Sequence, residues 1–327
     1  MRKANDIRLG IIGCGAIADR YLRVLQKMQI SLVAAVDLNL ETAEIAKKIY
    51  KFERAVKDYV DIMDEVNAVI ICLPNYLHSK VSNDFLLNNI NVLCEKPMAV
   101  NEDEAVKMYT AAKKSEATLH IANIRRYFWA NKEIKKLIKN KTFGALKSII
   151  VNEGIIFSWP SKTGFLFDKQ KAGGGVLMDL GSHVLDLLLW WLDEFPTNIE
   201  YSHDSYGGVE AEATLRMVFD SGVNCEVNLS RIRNLSNTNI LKFENGQIIS
   251  GTYELNKIIL NQDNQKTENI GEKNQNIEDY FHSMIENFID SIRYGSQKIV
   301  KVKSVIPSIK LIDMCYANSK IIKPVWL

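Results

Sequence analysis

The chain has 327 residues, of which 47% are apolar, and this length suffices for two domains that each bury a core. Its 41 Lys and Arg nearly balance its 39 Asp and Glu, so charge gives no argument for a nucleic-acid partner. No apolar run reaches the ~18–20 residues of a membrane helix. The polar N-terminus does not resemble a signal peptide. We therefore expect a cytoplasmic protein without membrane or nucleic-acid contacts.

The five cysteines are odd in number, widely spaced and mostly placed within apolar runs. They show neither the spacing of metal ligands nor that of a disulfide framework. We expect reduced thiols in the core and no metal site.

The first 125 residues alternate between short apolar runs and stretches with helical periodicity. Continuous apolar strands separated by helices of about 10–13 residues are typical of βαβ units with a parallel sheet buried on both faces. We predict an α/β fold with a doubly wound, nucleotide-binding domain over 1–125. The predicted strands are Leu9–Ile12, Leu32–Val36, Ala68–Leu73, Val92–Cys94 and Thr118–Ala122, and the predicted helices are Ala16–Met28, Glu41–Tyr50, Ser79–Asn88 and Glu102–Lys114.

The pattern changes near Lys147. Runs that alternate with period two follow between Ile199 and Leu260, separated by turn signals, and predict antiparallel hairpins. The polar stretch 261–276 is predicted to be a loop, and helices are predicted over 277–294 and 304–320. Residues 126–327 are thus predicted to form a second α/β domain with a large, open, mostly antiparallel sheet. Its last helix is expected to be able to pack back on the first domain.

A glycine motif lies between the first predicted strand and helix, where Gly13, Gly15, Ala16 and Ile17 belong to the sequence GCGAIA. The glycines allow a tight turn and bring a pyrophosphate close to the helix N-terminus. Asp37 ends the second strand and is suited to accept hydrogen bonds from both ribose hydroxyls of NAD. No arginine follows it to hold a 2′-phosphate, so we predict NAD rather than NADP. An ordinary turn with a solvated aspartate is the alternative.

Two further segments follow predicted strands, at the edge where open parallel sheets bind ligands. One is LPNYLH, with Pro74, Asn75 and His78, and the other is CEKPMA, with Glu95 and Lys96. Taken singly, Lys96 is equally well explained as a surface lysine, and His78 as a residue at a helix N-terminus.

Together with GIIGCGAIA, VAAVD and GGGVLMDLGSHVLDLL, these segments resemble the Gfo/Idh/MocA family of nicotinamide-dependent sugar and inositol dehydrogenases along nearly the whole chain. The resemblance implies a Rossmann domain followed by an α/β domain whose open sheet often forms an oligomer interface. A homodimer or homotetramer is therefore expected.

The resemblance also assigns roles. Lys96 matches the catalytic lysine, and Glu95 the residue that contacts the ribose on the nicotinamide side; the bond before Pro97 is often cis in relatives. Pro74, Asn75 and His78 match the segment that lines the nicotinamide. Arg126 aligns with a cofactor-site arginine that precedes an aromatic residue.

Asp179 and His183 are four residues apart in the predicted apolar helix and would share one face. An imidazole is suited to take the hydroxyl proton in alcohol oxidation, while a carboxylate orients the ring or the sugar and Lys96 stabilises the developing charge on oxygen. Asp186 is placed to reach the same face. The alternative is a core histidine with Asp186 as its hydrogen-bond partner.

Trp159 and Lys162 precede this helix in a loop and are predicted to contact substrate, by stacking on a sugar face and by binding a phosphate or carboxylate respectively. Burial of Trp159 and solvation of Lys162 are the alternatives.

The sequence therefore predicts an NAD-dependent oxidoreductase acting on a secondary hydroxyl or ketone of a sugar, inositol or nucleotide sugar. One alternative is an NAD-dependent glycosidase with a transient internal redox cycle. The other is a non-catalytic sensor that binds NAD or NADP.

Overall fold

The computed structural model describes residues 7–160, 163–262, 265–270, 275–296 and 298–322. The helices are α1 (Ala16–Leu25), α2 (Leu40–Tyr50), α3 (Asn75–Leu87), α4 (Glu102–Lys114), α5 (Trp129–Lys139), α6 (Lys169–Ala172), α7 (Ser182–Leu192), α8 (Ile277–Tyr294) and α9 (Ile306–Ala317). The strands are β1 (Arg8–Ile12), β2 (Ser31–Val36), β3 (Arg54–Val56), β4 (Ala68–Ile71), β5 (Asn91–Cys94), β6 (Leu119–Ile121), β7 (Leu146–Gly154), β8 (Pro196–His203), β9 (Glu212–Phe219), β10 (Asn224–Ser230), β11 (Thr238–Phe243), β12 (Gln247–Gly251), β13 (Lys257–Gln262), β14 (Gln265–Ile270) and β15 (Lys320–Ile321).

The chain divides into two compact units. The first comprises the described residues within Met1–Ile124, Pro160–Gly164 and Ile277–Ile306, and the second comprises those within Arg125–Trp159, Phe165–Asn276 and Pro307–Leu327. The boundaries predicted from the sequence, 1–125 and 126–327, differ from this grouping in assigning α8 to the second domain. The predicted domain boundaries remain a prediction.

The first unit contains a parallel sheet in the order β3-β2-β1-β4-β5-β6. Its central strands are buried apolar runs, as expected for a sheet covered by helices on both faces. The order reverses beside β1, which pairs with β2 on one side and β4 on the other. The carboxyl ends of these three strands therefore border the crevice in which doubly wound sheets bind ligands. The predicted doubly wound fold is confirmed.

The second unit contains a nine-stranded sheet among the described residues, in the order β14-β13-β12-β11-β7-β10-β9-β8-β15. Most neighbours are antiparallel, whereas β10 pairs with β7, and β15 with β8, in parallel. Apolar side chains from alternate strand positions form one large core with residues of α5, α7 and α9. The prediction of a mostly antiparallel sheet in an α/β domain is confirmed.

Three local predictions were wrong. Part of the predicted polar loop over 261–276 is β14, which forms a hairpin with β13. The strand β3 was missed because its three residues are too few to show periodicity. The helix α3 begins at Asn75, immediately after Pro74, whose fixed φ suits a helix N-terminus. Asn75 and His78 therefore lie on a helix rather than in a loop.

The expectation of no membrane-length apolar helix also needs correction. By length and composition alone, the helical stretch Lys169–Leu192 is apolar enough to cross a membrane. However, 72% of its most apolar window is buried inside the protein, and the core helix of a folded domain meets the same criteria.

Candidate active site

The glycine turn after β1 has the geometry of a phosphate-binding turn. Gly13 has a φ of +90°, and a Cβ atom there would lie 2.6 Å from the carbonyl oxygen of Cys72. Gly15 directly precedes α1, and a Cβ atom on it would meet nothing within 4 Å. Among the described residues no side chain caps this helix, so the first N–H groups, around Ala16 and Ile17, have no side-chain acceptor. Open N–H groups at a helix N-terminus fit a pyrophosphate.

Asp19 lies in the first turn of α1, where its negative charge would repel a bound anion, but its carboxylate is paired with other side chains. Its carboxylate accepts hydrogen bonds from Tyr50 Oη and, at 2.7 Å, from Arg23 Nε. The bond from Tyr50 contributes most to lowering the pKa of Asp19. Because the Arg23 guanidinium is bonded to it, the negative charge of the Asp19 carboxylate is partly neutralised.

Asp37 is fixed at the carboxyl end of β2, directly beside the glycine turn. Its Oδ2 accepts a hydrogen bond from the Cys14 N–H at 3.0 Å, and its Oδ1 accepts one from the Asn39 N–H at 2.9 Å. Because an ionised carboxylate has about four acceptor positions, two remain for ribose hydroxyls. Burial raises the pKa of the neighbouring Cys14 thiol to about 12, with the charge of Asp37 as the next cause. The thiol is therefore protonated, and no second negative charge arises beside Asp37.

His78 connects the two segments that follow β4 and β5. The ring is fully buried, with Nδ1 2.7 Å from the Pro97 carbonyl oxygen and Nε2 2.8 Å from the Leu73 carbonyl oxygen. Burial lowers the pKa of the ring. Both ring nitrogens thus lie against backbone carbonyls of the first unit, so the ring helps to hold these segments, and its predicted contact with a cofactor stays a prediction.

Glu95 is buried next to Lys96. Its Oε1 accepts a hydrogen bond from Tyr21 Oη at 2.6 Å, and its Oε2 accepts one from the Lys96 N–H at 2.9 Å. Burial raises the pKa of Glu95 and, together with the nearby carboxylate, that of Tyr21. Lys96 itself is partly exposed, and the bond from Lys96 to Pro97 is cis, as expected from the resemblance. Sequence reasoning missed Tyr21 as the partner of Glu95.

Asp179 and His183 lie in the second unit, at the start of its apolar helix. The turn Leu177–Gly181 that holds Asp179 is a π-helix, and α7 continues from Ser182. Both side chains are partly exposed, whereas the polar neighbours Ser182 and Asp186 are buried. Single π turns within helices often occur at functional sites. The prediction of one continuous α-helix did not anticipate this turn.

A buried carboxylate anchors the start of this helix. Glu210 accepts hydrogen bonds from the N–H groups of Gly175 and Leu177, both at 3.0 Å, and from Tyr316 Oη at 2.7 Å. Its own carbonyl oxygen accepts a bond from the Val176 N–H at 2.8 Å. A Cβ atom on Gly175 would lie 2.1 Å from that oxygen, which explains why glycine is required there. Sequence reasoning did not identify Glu210, since its partners are more than 30 residues away.

Asp186 does not serve as the partner that the core-histidine alternative assigned to it. Its carboxylate accepts two hydrogen bonds from Arg126, at 2.8 Å from Nε and 2.5 Å from Nη2, and both side chains are almost completely buried. The Arg126 guanidinium also lies over the Trp190 ring. This arrangement gives Arg126 a structural role within the second unit, and its predicted contact with cofactor stays a prediction.

Of the two predicted substrate residues, Trp159 is exposed and lies within the second unit. Lys162 lies outside the described residues. Within those ranges no cluster of His, Cys, Asp and Glu is arranged to hold a metal ion.

Comparison with known sequences identifies the family. The profile described as "Oxidoreductase family, NAD-binding Rossmann fold" matches residues 7–123, and the profile described as "Oxidoreductase family, C-terminal alpha/beta domain" matches residues 135–327. The chain belongs to the Gfo/Idh/MocA oxidoreductase family.

Curated relatives match over part of their length. The chain is 29% identical to glucose-6-phosphate 3-dehydrogenase of Bacillus subtilis (strain 168), over 57% of this chain and 54% of that protein. It is 30% identical to levoglucosan dehydrogenase of Pseudarthrobacter phenanthrenivorans, over 58% of this chain and 52% of the relative. The matched region thus spans about half the length of these relatives.

Solved structures show the same fold over nearly the whole chain. Levoglucosan dehydrogenase in complex with NADH and levoglucosan aligns with a TM-score of 0.85 at 19% identity, covering 96% of this chain and 97% of that chain. KijD10, a 3-ketoreductase from Actinomadura kijaniata in complex with NADP and TDP-benzene, aligns with a TM-score of 0.86 at 18% identity, covering 98% and 100%. At these identities the likeness establishes the fold.

Proposed function

We propose that this protein transfers hydride between NAD and a secondary hydroxyl, or the corresponding ketone, of a sugar, an inositol or a nucleotide sugar. The observation that carries the proposal is the partial exposure of Asp179 and His183 on a helix whose other polar side chains are buried. The relatives named as sugar dehydrogenases and a ketoreductase support this reaction class.

The residues around the glycine turn would hold the cofactor. The open N–H groups around Gly15 would bind the pyrophosphate, and Asp37 would accept bonds from the ribose near the adenine. Pro74, Asn75 and Glu95 would contact the nicotinamide side. When bound, the nicotinamide ring accepts or supplies the hydride.

We assign NAD rather than NADP on the position of Asp37. Its carboxylate accepts hydrogen bonds from the Cys14 N–H of the glycine turn and from the Asn39 N–H of its own segment, and a 2′-phosphate placed on the same oxygens would be repelled. Similar folds bind NADH in one case and NADP in another, so the preference rests on this residue.

The chemical roles follow from the side chains. A ring nitrogen of His183 would take the hydroxyl proton during oxidation and return it during reduction. The Lys96 ammonium would donate a hydrogen bond to the reacting oxygen as its charge develops. Asp179 would orient the imidazole or the sugar.

The test follows NADH absorbance with D-glucose, glucose 6-phosphate, levoglucosan, myo-inositol and a nucleotide sugar, and the reverse reaction with 3-keto sugars. Lys96→Ala and His183→Ala should each abolish turnover while NAD binding persists, and the exposed Lys113→Ala is the matched control. Turnover at the parental rate in Lys96→Ala, or no turnover by the parent on any substrate in either direction, would refute the proposal.

A reaction without net oxidation is the second candidate. The chain is 25% identical to 2,7-anhydro-N-acetylneuraminate hydratase of Escherichia coli (strain K12), over 66% of this chain and 59% of that protein. If this protein catalysed a reaction without net oxidation, the parent would convert a glycoside or anhydro sugar without accumulating NADH. Incubating the NAD-loaded protein with levoglucosan and an aryl glycoside, with product analysis, separates the two candidates.

A further inference from the structure

The carboxylate of Asp179 is paired with a buried cation, Arg231. Arg231 Nη2 lies 2.6 Å from Asp179 Oδ2, and the arginine side chain is 7% exposed whereas that of the aspartate is 27% exposed. Among the described residues, Nε and Nη2 of Arg231 have no hydrogen-bond partner, so its contact with Asp179 is an ion pair. Asp179 therefore faces outward from a guanidinium that solvent hardly reaches.

Arg231 is held by the sheet and not by the helix that carries Asp179. It directly follows β10, its N–H donates to the Ala211 carbonyl at 2.8 Å, and its carbonyl accepts from the Phe157 N–H at 2.7 Å. The guanidinium carbon also lies 5.2 Å from the centre of the Phe157 ring. These contacts place the cation independently of the π turn.

A second guanidinium whose charge acts on Asp179, that of Arg125, is already paired. Arg125 donates two hydrogen bonds to Glu153, at 2.8 and 2.6 Å, and Tyr253 Oη donates a third to the same carboxylate at 3.2 Å. Burial alone would lower the pKa of Arg125, but the Glu153 carboxylate raises it. Arg231, by contrast, directs its guanidinium at Asp179.

We propose that Arg231 is a positioning residue that fixes the direction and the charge of the Asp179 carboxylate for hydride-transfer chemistry. The inference rests on the proposed function, because it assumes that Asp179 acts in catalysis. The π turn that carries Asp179 has a different hydrogen-bond spacing from the regular helix that follows, and a cation anchored on the sheet restricts where the carboxylate points. Displacing a catalytic group by about 1 Å can lower the rate by as much as about 100-fold.

The experiment compares Arg231→Gln and Arg231→Lys with the parent, using the best substrate of the panel above. Arg233→Gln is the matched control, because Arg233 lies two residues away and pairs with Glu212 while being largely exposed. We expect Arg231→Gln to lower kcat by about 10- to 100-fold with little change in the KM for NAD. Arg231→Lys, which keeps the charge, should recover most of that loss, and Arg233→Gln should stay within about twofold of the parent.

A double-mutant cycle with Asp179→Asn tests whether Arg231 acts through Asp179. In the Asp179→Asn background, Arg231→Gln should lower kcat by less than about twofold, because the charge it holds is gone. An equal loss in both backgrounds, or no rescue by lysine, would overturn the proposed role of Arg231. If Asp179→Asn itself leaves kcat unchanged, the assignment of Asp179 in the proposed function fails instead, and the inference fails with it.

Discussion

The Nδ1 atom of His78 lies 2.7 Å from the carbonyl oxygen of Pro97, so a side chain on α3 holds the segment that carries Lys96. Its Nε2 atom lies 2.8 Å from the Leu73 carbonyl oxygen, at the end of the neighbouring segment. The imidazole therefore spans the two segments that the sequence alone offered as separate candidates for a nicotinamide site.

Replacing His78 with Ala should loosen both segments, because it removes the hydrogen bond that the neutral ring donates to one of the two carbonyl oxygens and the packing of the ring against the other. We expect a loss of about 1–3 kcal/mol in the free energy of unfolding, measured in urea, and a fall in kcat of about tenfold. His282→Ala, at an exposed position on α8, is the control and should change neither quantity. An unchanged kcat in His78→Ala would show that the Lys96 segment is held without this ring.

Asp37 should set the choice of cofactor. The variant Asp37→Asn keeps an acceptor for the Cys14 N–H but removes the charge, so the turn should persist while repulsion of a 2′-phosphate is lost. We expect the Kd for NAD to rise about tenfold and the Kd for NADP to stay level or fall, by isothermal titration calorimetry. The exposed Asp61→Asn is the control. Unchanged selectivity in Asp37→Asn would remove the ribose role from this residue.

His120 should make the protein sensitive to mild acid. Burial lowers the pKa of its ring to about 3, against about 6.5 in an unfolded chain. Between these values the unfolded state binds the extra proton, so stability falls as the pH drops below about 6.5. From pH 7 to pH 5 this single group should remove about 2 kcal/mol.

The comparison is the urea unfolding free energy at pH 7 and pH 5 for the parent and for His120→Gln, which retains a partner for Ser291. The difference between the two pH values should shrink by about 2 kcal/mol in the variant. The same pH difference in both proteins would mean that His120 has the same pKa in the folded and the unfolded state.

The ion pair between Arg126 and Asp186 should be important for stability. In Asp186→Asn a guanidinium that is 1% exposed would lose its counter-charge, and such a loss destabilises a protein by about 3–5 kcal/mol. Glu44→Gln, which breaks the exposed pair with Lys47, should cost less than about 1 kcal/mol. If NAD affinity fell in Asp186→Asn without a loss of stability, the predicted role of Arg126 at the cofactor would be supported instead.

Local sequence patterns were sufficient for the elements with strong periodicity. The bounds predicted for the helices over 102–114 and 277–294 agree with α4 and α8, because apolar spacing and capping residues are properties of neighbouring positions. By contrast, β14 is a polar edge strand whose pairing with β13, and not its own pattern, makes it a strand. The π turn at Asp179 likewise interrupts a sequence with ordinary helical spacing.

The sequence by itself determined the doubly wound fold and the glycine turn, and it predicted the residues of the proposed site, since these depend on short-range spacing and local motifs. Only the tertiary structure decided which charges meet. Arg126 pairs with Asp186 across 60 residues, and Asp179 pairs with Arg231 from a different element of the second unit. The physical reason is that a buried charge requires a counter-charge in space, and the topology of the sheet, not the distance along the chain, determines which one it finds.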